Sequence, residues 1–190
     1  QQGDADAALA RLEQARTAHP KNAELARTYA DVLLRRGRFP DAEKAFREAR
    51  TLASPKRDLP EYLSISAGLG DALLAQSKFD DAAMLVKEIE KSAPSAGITF
   101  LLKGRVAAAQ RNFPAASEAF LKLLNADPEN AQVRTLLAAV NLEQGSLEQA
   151  ATNLRRVLAD SPDFAPARRL LAQVQMQQGR AQEAQETLAP

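Results

Sequence analysis

The sequence holds no cysteine, no tryptophan and a single histidine, His19. Without cysteine there is no disulfide, no thiol nucleophile and no thiolate site for zinc or an iron–sulfur cluster. The compartment stays open, because a helical protein with a good core needs no disulfide in either setting. One imidazole leaves histidine-dependent and metal-dependent catalysis without their usual groups, so no enzyme activity, cofactor or metal is expected. An excess of one charge is also missing: 25 Lys plus Arg against 24 Asp plus Glu give a net charge of +1. General polyanion binders carry a basic surplus, so nucleic acid is not an expected partner. No run approaches the roughly 18 consecutive apolar residues of a membrane span, and direct insertion by this segment is not expected. No leader is visible at Gln1, which leaves open one removed upstream. The 45% of apolar residues is ample for a sizeable core.

What the chain does have is a period. Ala8, Ala42, Ala82, Ala116, Ala150 and Ala184 recur at spacings of 34, 40, 34, 34 and 34. Four residues after each stands a large apolar residue: Leu12, Phe46, Val86, Phe120, Leu154 or Leu188. Pro20, Pro94, Pro128 and Pro162 close four of the copies, with Ser54-Pro55 standing in once. Ahead of the alanine a turn carries Gly3, Gly37, Gly145 or Gly179, replaced by Ser77 and Arg111 in two copies. Apolar residues at i, i+4 and i+7 line one helical face. Small residues let two helices cross closely while large ones fill the groove opposite. A glycine past a helix end takes the left-handed conformation that stops it, and Pro40 and Pro114 suit the first turn of the next helix. Period-two alternation is not sustained anywhere, so strands are not expected.

These residues resemble the tetratricopeptide-repeat (TPR) family, whose 34-residue pattern runs W-x2-L-G-x2-Y, then A-x3-F, then A, then P. The second half is kept nearly throughout. The first half is looser, with Ala30, Gly70, Gly104, Ala138 and Ala172 at its small position. Ala26, Ser66, Phe100, Arg134 and Arg168 replace its tryptophan. The resemblance covers essentially the whole chain. It implies an all-α fold, a right-handed α-α superhelix (TPR solenoid) of about 11 antiparallel helices, acting as a non-catalytic scaffold that binds a protein or peptide.

The phasing predicts one array over 1–190: a partial repeat 1–22, repeats 23–56, 63–96, 97–130 and 131–164, and a partial repeat 165–190. The extra residues of the one lengthened interval fall in 54–62 (SPKRDLPEY). Two prolines and mixed charges make them a lengthened inter-repeat connection or an extended helix end, which reads as a tolerated surface insertion or, alternatively, as a hinge or a lip of the binding groove. Leu9, Leu12, Leu171, Val174 and Leu188 suggest apolar repeat ends, as in a piece of a longer array, with end-to-end self-association as a further expectation.

Other groupings find structural explanations. His19 sits in a turn before Pro20. Asp80 and Asp81 suit N-terminal capping and compensation of the helix dipole. Gly68-Leu69-Gly70 lacks the strand–turn–helix context of a phosphate loop and reads as tight helix packing. Arg35-Arg36-Gly37-Arg38, Arg155-Arg156 and Arg168-Arg169 are diluted by acids and not interleaved with aromatics, so they read as solvated faces. Phe39, Phe79 and Phe113 fall at turns and Phe46 and Phe120 at packing positions. Phe100 stands apart.

The resemblance places ligand-facing residues on the first helix of each repeat. Carried over position by position, the groove candidates are Arg27, Asp31, Asp71, Leu74, Ile98, Leu101, Arg105, Gln132, Thr135, Arg169 and Gln173. They mix an apolar middle with flanking charge, which suits an extended peptide or an amphipathic helix oriented by Arg27, Arg105 and Arg169. The chaperone-type carboxylate clamp is not matched, since Arg27-Asp31 and Gly68-Asp71 replace its Lys-Asn and Asn residues. The last repeats are similar to bacterial TPR-repeat lipoproteins that accompany PEP-CTERM sorting and exopolysaccharide export. That similarity implies a periplasmic or membrane-anchored, periplasm-facing scaffold, with a cytoplasmic location left open. The alternative is an accessory module of a polysaccharide-secretion channel or of a larger enzyme.

Overall fold

The computed structural model describes residues 2–189. Gln1, Pro190 and the side chains of 2–6 and of Ala8, the first periodic alanine, lie outside the described residues. Among the described residues the chain is all-α, with eleven helices and no strand. In order they are α1 (Gln2–Ala18), α2 (Ala23–Arg35), α3 (Phe39–Leu52), α4 (Leu59–Ala75), α5 (Phe79–Ser92), α6 (Gly97–Ala109), α7 (Phe113–Ala126), α8 (Ala131–Glu143), α9 (Leu147–Asp160), α10 (Ala165–Gln177) and α11 (Ala181–Leu188). Gly3, expected in a turn, lies inside α1. A helical glycine costs only about 1 kcal/mol relative to alanine. Two compact units divide the chain, 1–102 and 103–190.

The turns explain the helix ends. Gly37, Gly145 and Gly179 adopt φ of 72°, 76° and 77° just after a helix, and Ser77 and Arg111 adopt 58° and 59° at the same repeat position. A side chain in the left-handed region costs roughly 1–2 kcal/mol, of which the chain entropy of glycine returns about 0.5–1 kcal/mol. Ser77→Gly is therefore expected to stabilise the protein by about 0.5–1 kcal/mol, checked by urea denaturation followed by circular dichroism; a loss of stability would show that Ser77 is not strained. Asn22, Asn112 and Asn130 start helices by accepting hydrogen bonds from the backbone N–H of Leu25, Ala115 and Val133. Asp80 and Asp81 do not cap. Lys78 holds the cap position without a side-chain bond, which leaves the two aspartates in the first turn to favour the helix dipole.

Packing follows the small-and-large code. In the first unit Ala42, Phe46, Ala49, Ile65 and Ile89 are all 0% exposed. An ideal Cβ on Gly68 would lie 2.3 Å from Phe46 Cζ, and one on Gly70 would lie 2.4 Å from Leu102 Cδ1. In the second unit a Cβ on Gly104 would lie 2.5 Å from Phe120 Cε1. These glycines are helix-crossing points, as the absence of any phosphate-loop context around Gly68 and Gly70 implied. A cluster including Leu154, Val157, Ala167, Leu171 and Val174 makes up the core of the second unit. Leu171 and Val174 are thus buried rather than open to a neighbour, whereas Leu188 is 53% exposed.

The lengthened interval has two parts. Four residues (for example 93–96) separate the other repeats, but 53–58 separate α3 from α4. In addition α4 has 17 residues where α2, α6, α8 and α10 have 13. The segment is part longer connection and part extra helical turn. That turn is held from two sides. Arg50 of α3 hydrogen-bonds the Tyr62 hydroxyl, with its guanidinium 5.0 Å from the ring centroid, and donates to Ser66 Oγ at 3.2 Å. On the other side Glu61 accepts from Arg27 of α2.

Side-chain latches at the turns tie successive hairpins. Gln76 Nε2 donates to Glu43 Oε2 at 2.8 Å, and Lys78 Nζ pairs with the same oxygen at 2.7 Å. Burial pushes the Glu43 carboxyl up, but hydrogen bonds from Lys78, Gln76 and Arg47 outweigh it and hold the group below its usual range. The stability this confers is present above the unfolded-state carboxylate pKa and is lost as pH falls through the folded value. Glu43→Gln should cost on the order of 1–2 kcal/mol at pH 7. The difference from the parent should shrink as pH falls through the folded-state value, which lies below the ordinary carboxylate range, as followed by denaturation at several acid pH values; a gap that does not narrow with falling pH would refute the ionic origin.

Candidate functional site

In the first unit, α2 and α4 present the groove candidates side by side. Arg27 Nη1 bonds Asp31 Oδ2 at 2.9 Å, and its Nε reaches Glu61 Oε1 at 3.0 Å and Oε2 at 3.3 Å. The three side chains are only 25%, 29% and 19% exposed for Arg27, Asp31 and Glu61. Burial works against the Arg27 charge, and the bonds and charges of Glu61 and Asp31 more than offset it, raising its pKa. Asp31 fares worse. Burial raises its carboxyl and nearby Asp71 adds to the effect, against the lowering pull of Arg27 and Arg35. Two carboxylates share one guanidinium.

Leu74, Ile98 and Leu101 are half-buried in the same unit. Beside Glu61 opens a cleft of about 730 Å3, lined by the α1–α2 turn with His19, Lys21 and Glu24, and by Asp58 and Glu61 at the start of α4. His19 is an exposed turn residue, as its position implied. Glu61 was not among the groove candidates. It stands 34 positions after Arg27, one full repeat, but across the one interval that is longer than a repeat. That offset places it on the extra turn, outside the repeat positions.

In the second unit Arg105 is half-buried on α6. Gln132, Arg169 and Gln173 are exposed on α8 and α10, and Met176 is 58% exposed one turn further along α10. Thr135 turns its hydroxyl back onto its own helix, donating to Ala131 O at 2.7 Å. Arg168 is no solvated basic residue. Its Nη2 donates to Pro162 O at 2.8 Å, and Arg134 bonds Pro128 O in the same way one repeat earlier. The arginines at the tryptophan position therefore fasten the inter-repeat turn. Among the described residues no group of three or more His, Cys, Asp or Glu could hold a metal ion, and no helix is long and apolar enough to cross a membrane.

Stacked helical hairpins with left-handed turn residues and small-residue crossings define a helical-repeat scaffold. Two tetratricopeptide-repeat models match the chain, one over 1–67 and 141–190 and the other over 67–131 and 101–151. The chain belongs to the tetratricopeptide-repeat family. Its fold is generally non-catalytic, and proteins built on it generally mediate protein–protein interactions.

No curated protein matches the chain in sequence. Among solved structures it is similar to TTC0263, a thermophilic TPR protein of Thermus thermophilus, with 22% identity over 92% of each chain and a TM-score of 0.77. It is also similar to MamA from Desulfovibrio magneticus RS-1, with 19% identity over 87% of this chain and 90% of that one, TM-score 0.63. YrrB, described as a TPR protein with an unusual peptide-binding site, shares 15% identity over 93% and 88% of the two chains, TM-score 0.57.

Proposed function

We propose that this chain is a protein-interaction scaffold that holds a peptide or a partner helix on the face of its first helices. The observation that carries the reading is the family-positioned set on α8 and α10. Gln132, Arg169 and Gln173 are exposed there, and Met176, at i+7 from Arg169 on α10, adds an exposed apolar group. Exposed amide and guanidinium donors together with an exposed thioether suit a surface that hydrogen-bonds a backbone and grips side chains. In the first unit Leu74, Ile98 and Leu101 supply half-buried apolar contacts.

The immobilised chain tests the reading. A polypeptide that it retains should be lost when Arg169, Gln173 and Met176 are changed together to alanine, and kept when the exposed α3 residue Lys44 is changed. Retention unchanged by the triple variant would refute the assignment. The likeness of the last repeats to export-associated lipoproteins supports an envelope setting for this scaffold. A parent gene with a lipoprotein signal would bear that out, and fractionation of the full-length protein with the cytosol would overturn it.

A further inference from the structure

We infer that the cleft between the ends of α1 and α3 is a second binding site, one that takes a tyrosine side chain of a partner polypeptide. It lies apart from the residues assigned to the first-helix face and does not depend on that reading.

The cleft measures about 300 Å3 and is lined by Thr17, Pro20, Ala26, Thr51 and Leu52, with the Arg16–Glu48 ion pair, 2.6 Å long, along its border. That volume is at the small end of the range for ligand sites. The next copy of the repeat holds the same ion pair. Arg50 follows Arg16 by 34 residues, and Glu88 and Ser66 follow Glu48 and Ala26 by 40, the two intervals of the periodic alanines. Arg50 pairs with Glu88 at 2.8 Å, as Arg16 does with Glu48. Beside that second pair the space is filled by a ring. Tyr62 is buried, its centroid lies 5.0 Å from the Arg50 guanidinium, and its hydroxyl accepts a hydrogen bond from it.

Tyr62 stands four residues before Ser66, on the extra turn of α4. Four residues before Ala26 is Asn22, the cap of α2. The first copy therefore keeps the guanidinium and the carboxylate but supplies no ring at that place, and Ala26 adds only a methyl group. Tyr29, 4.7 Å from the Arg16 guanidinium, does not line this cleft; it borders the neighbouring one with Glu13 and Lys44. A guanidinium has two faces and several N–H donors. Arg16 gives one face to Tyr29 and Nη1 to Glu48, which leaves a face and further donors for a phenol. Arg50 shows that one such group can serve a glutamate, a tyrosine and a serine together.

The charges select a neutral occupant. A ligand carboxylate would compete with Glu48 for Arg16, and a ligand cation would meet Arg16 itself. An aromatic ring packs on Pro20 and Leu52, and a phenol oxygen gains a charge-assisted hydrogen bond that a plain ring lacks. The occupant of the sister place is itself a polypeptide side chain.

The probes are the N-acetyl amides of tyrosine, phenylalanine and leucine, titrated into the whole 190-residue chain with backbone amide resonances as the readout. The tyrosine amide should shift Thr17, Ala26 and Thr51 to saturation and bind about three- to tenfold more tightly than the phenylalanine amide. Ala26→Trp restores the large residue of the family pattern, fills the cleft and should abolish binding. Arg16→Lys keeps a charge for Glu48 but loses the flat stacking surface, and should bring the tyrosine and phenylalanine amides within about twofold of each other. If Ala26→Trp misfolds by circular dichroism, Arg16→Lys decides alone. No shift in the parent, equal binding of the leucine amide, binding that survives in folded Ala26→Trp, or a tyrosine preference that Arg16→Lys leaves in place would each overturn the inference. None of these results touches the first-helix reading.

Discussion

Phe46→Ala is expected to lower the stability of the first unit by about 3–5 kcal/mol, the range for emptying a buried phenylalanine site. The ring is fully buried at 0% exposure, and its edge faces the backbone of α4 at Gly68. Collapse around the vacated space is limited because α3 and α4 are themselves pinned. Arg50 bonds Tyr62 and Ser66 across them, and Gln76 and Lys78 grip Glu43. Stability in stacked repeats is close to a sum of repeat and nearest-neighbour terms. The loss should therefore appear as an earlier-melting component in thermal or urea unfolding rather than as a uniform shift. A change below about 1 kcal/mol would mean that the site repacks freely.

Gly68→Ala should also destabilise, although alanine is the better helix former by about 1 kcal/mol. The added methyl would sit 2.3 and 2.4 Å from Phe46 Cζ and Cε1, distances that the ring must relieve by moving. A ring buried on all sides has nowhere to swing. Overpacking of about 1–3 kcal/mol, less the propensity gain, leaves a net cost of about 1–2 kcal/mol. The two sites share one contact, so the double variant should be strongly non-additive. With the ring gone, the alanine methyl enters the space that it occupied. Phe46→Ala, Gly68→Ala should then be more stable than Phe46→Ala alone. Additive losses would show that Gly68 is required there by something other than this ring.

The parts of the fold that sequence made readable are those that repeat. In each copy the same small, large and turn residues face the same neighbours. Phe46 and Phe120 could therefore be assigned to packing positions, and Gly68 and Gly70 to a close helix crossing, on pattern alone. Ser77 and Arg111 betrayed their left-handed turns by standing where glycine stands elsewhere. What escaped was pairing that breaks phase. Glu61 meets Arg27 because this one interval is longer than the rest and its surplus divides between loop and helix. No periodic rule specifies that division. Arg168 looked like part of a solvated basic pair. Its reach to Pro162 O depends on the path of the inter-repeat turn, which the residue types do not encode. The groove candidates came from repeat positions alone, whereas the ion triad of Arg27, Asp31 and Glu61 had to be seen.

A partner polypeptide that lies on the first helices, and not on the second, can be tracked with the two methionines of the chain. Met176 on α10 is 58% exposed and Met84 on α5 is 55% exposed. They are almost equally accessible but lie on helices of the two different kinds. Methyl-labelled methionine spectra, recorded while a retained polypeptide is titrated into the chain, should show the Met176 resonance shifting to saturation while Met84 stays in place. Movement of Met84 with Met176 unchanged would contradict binding on the first helices.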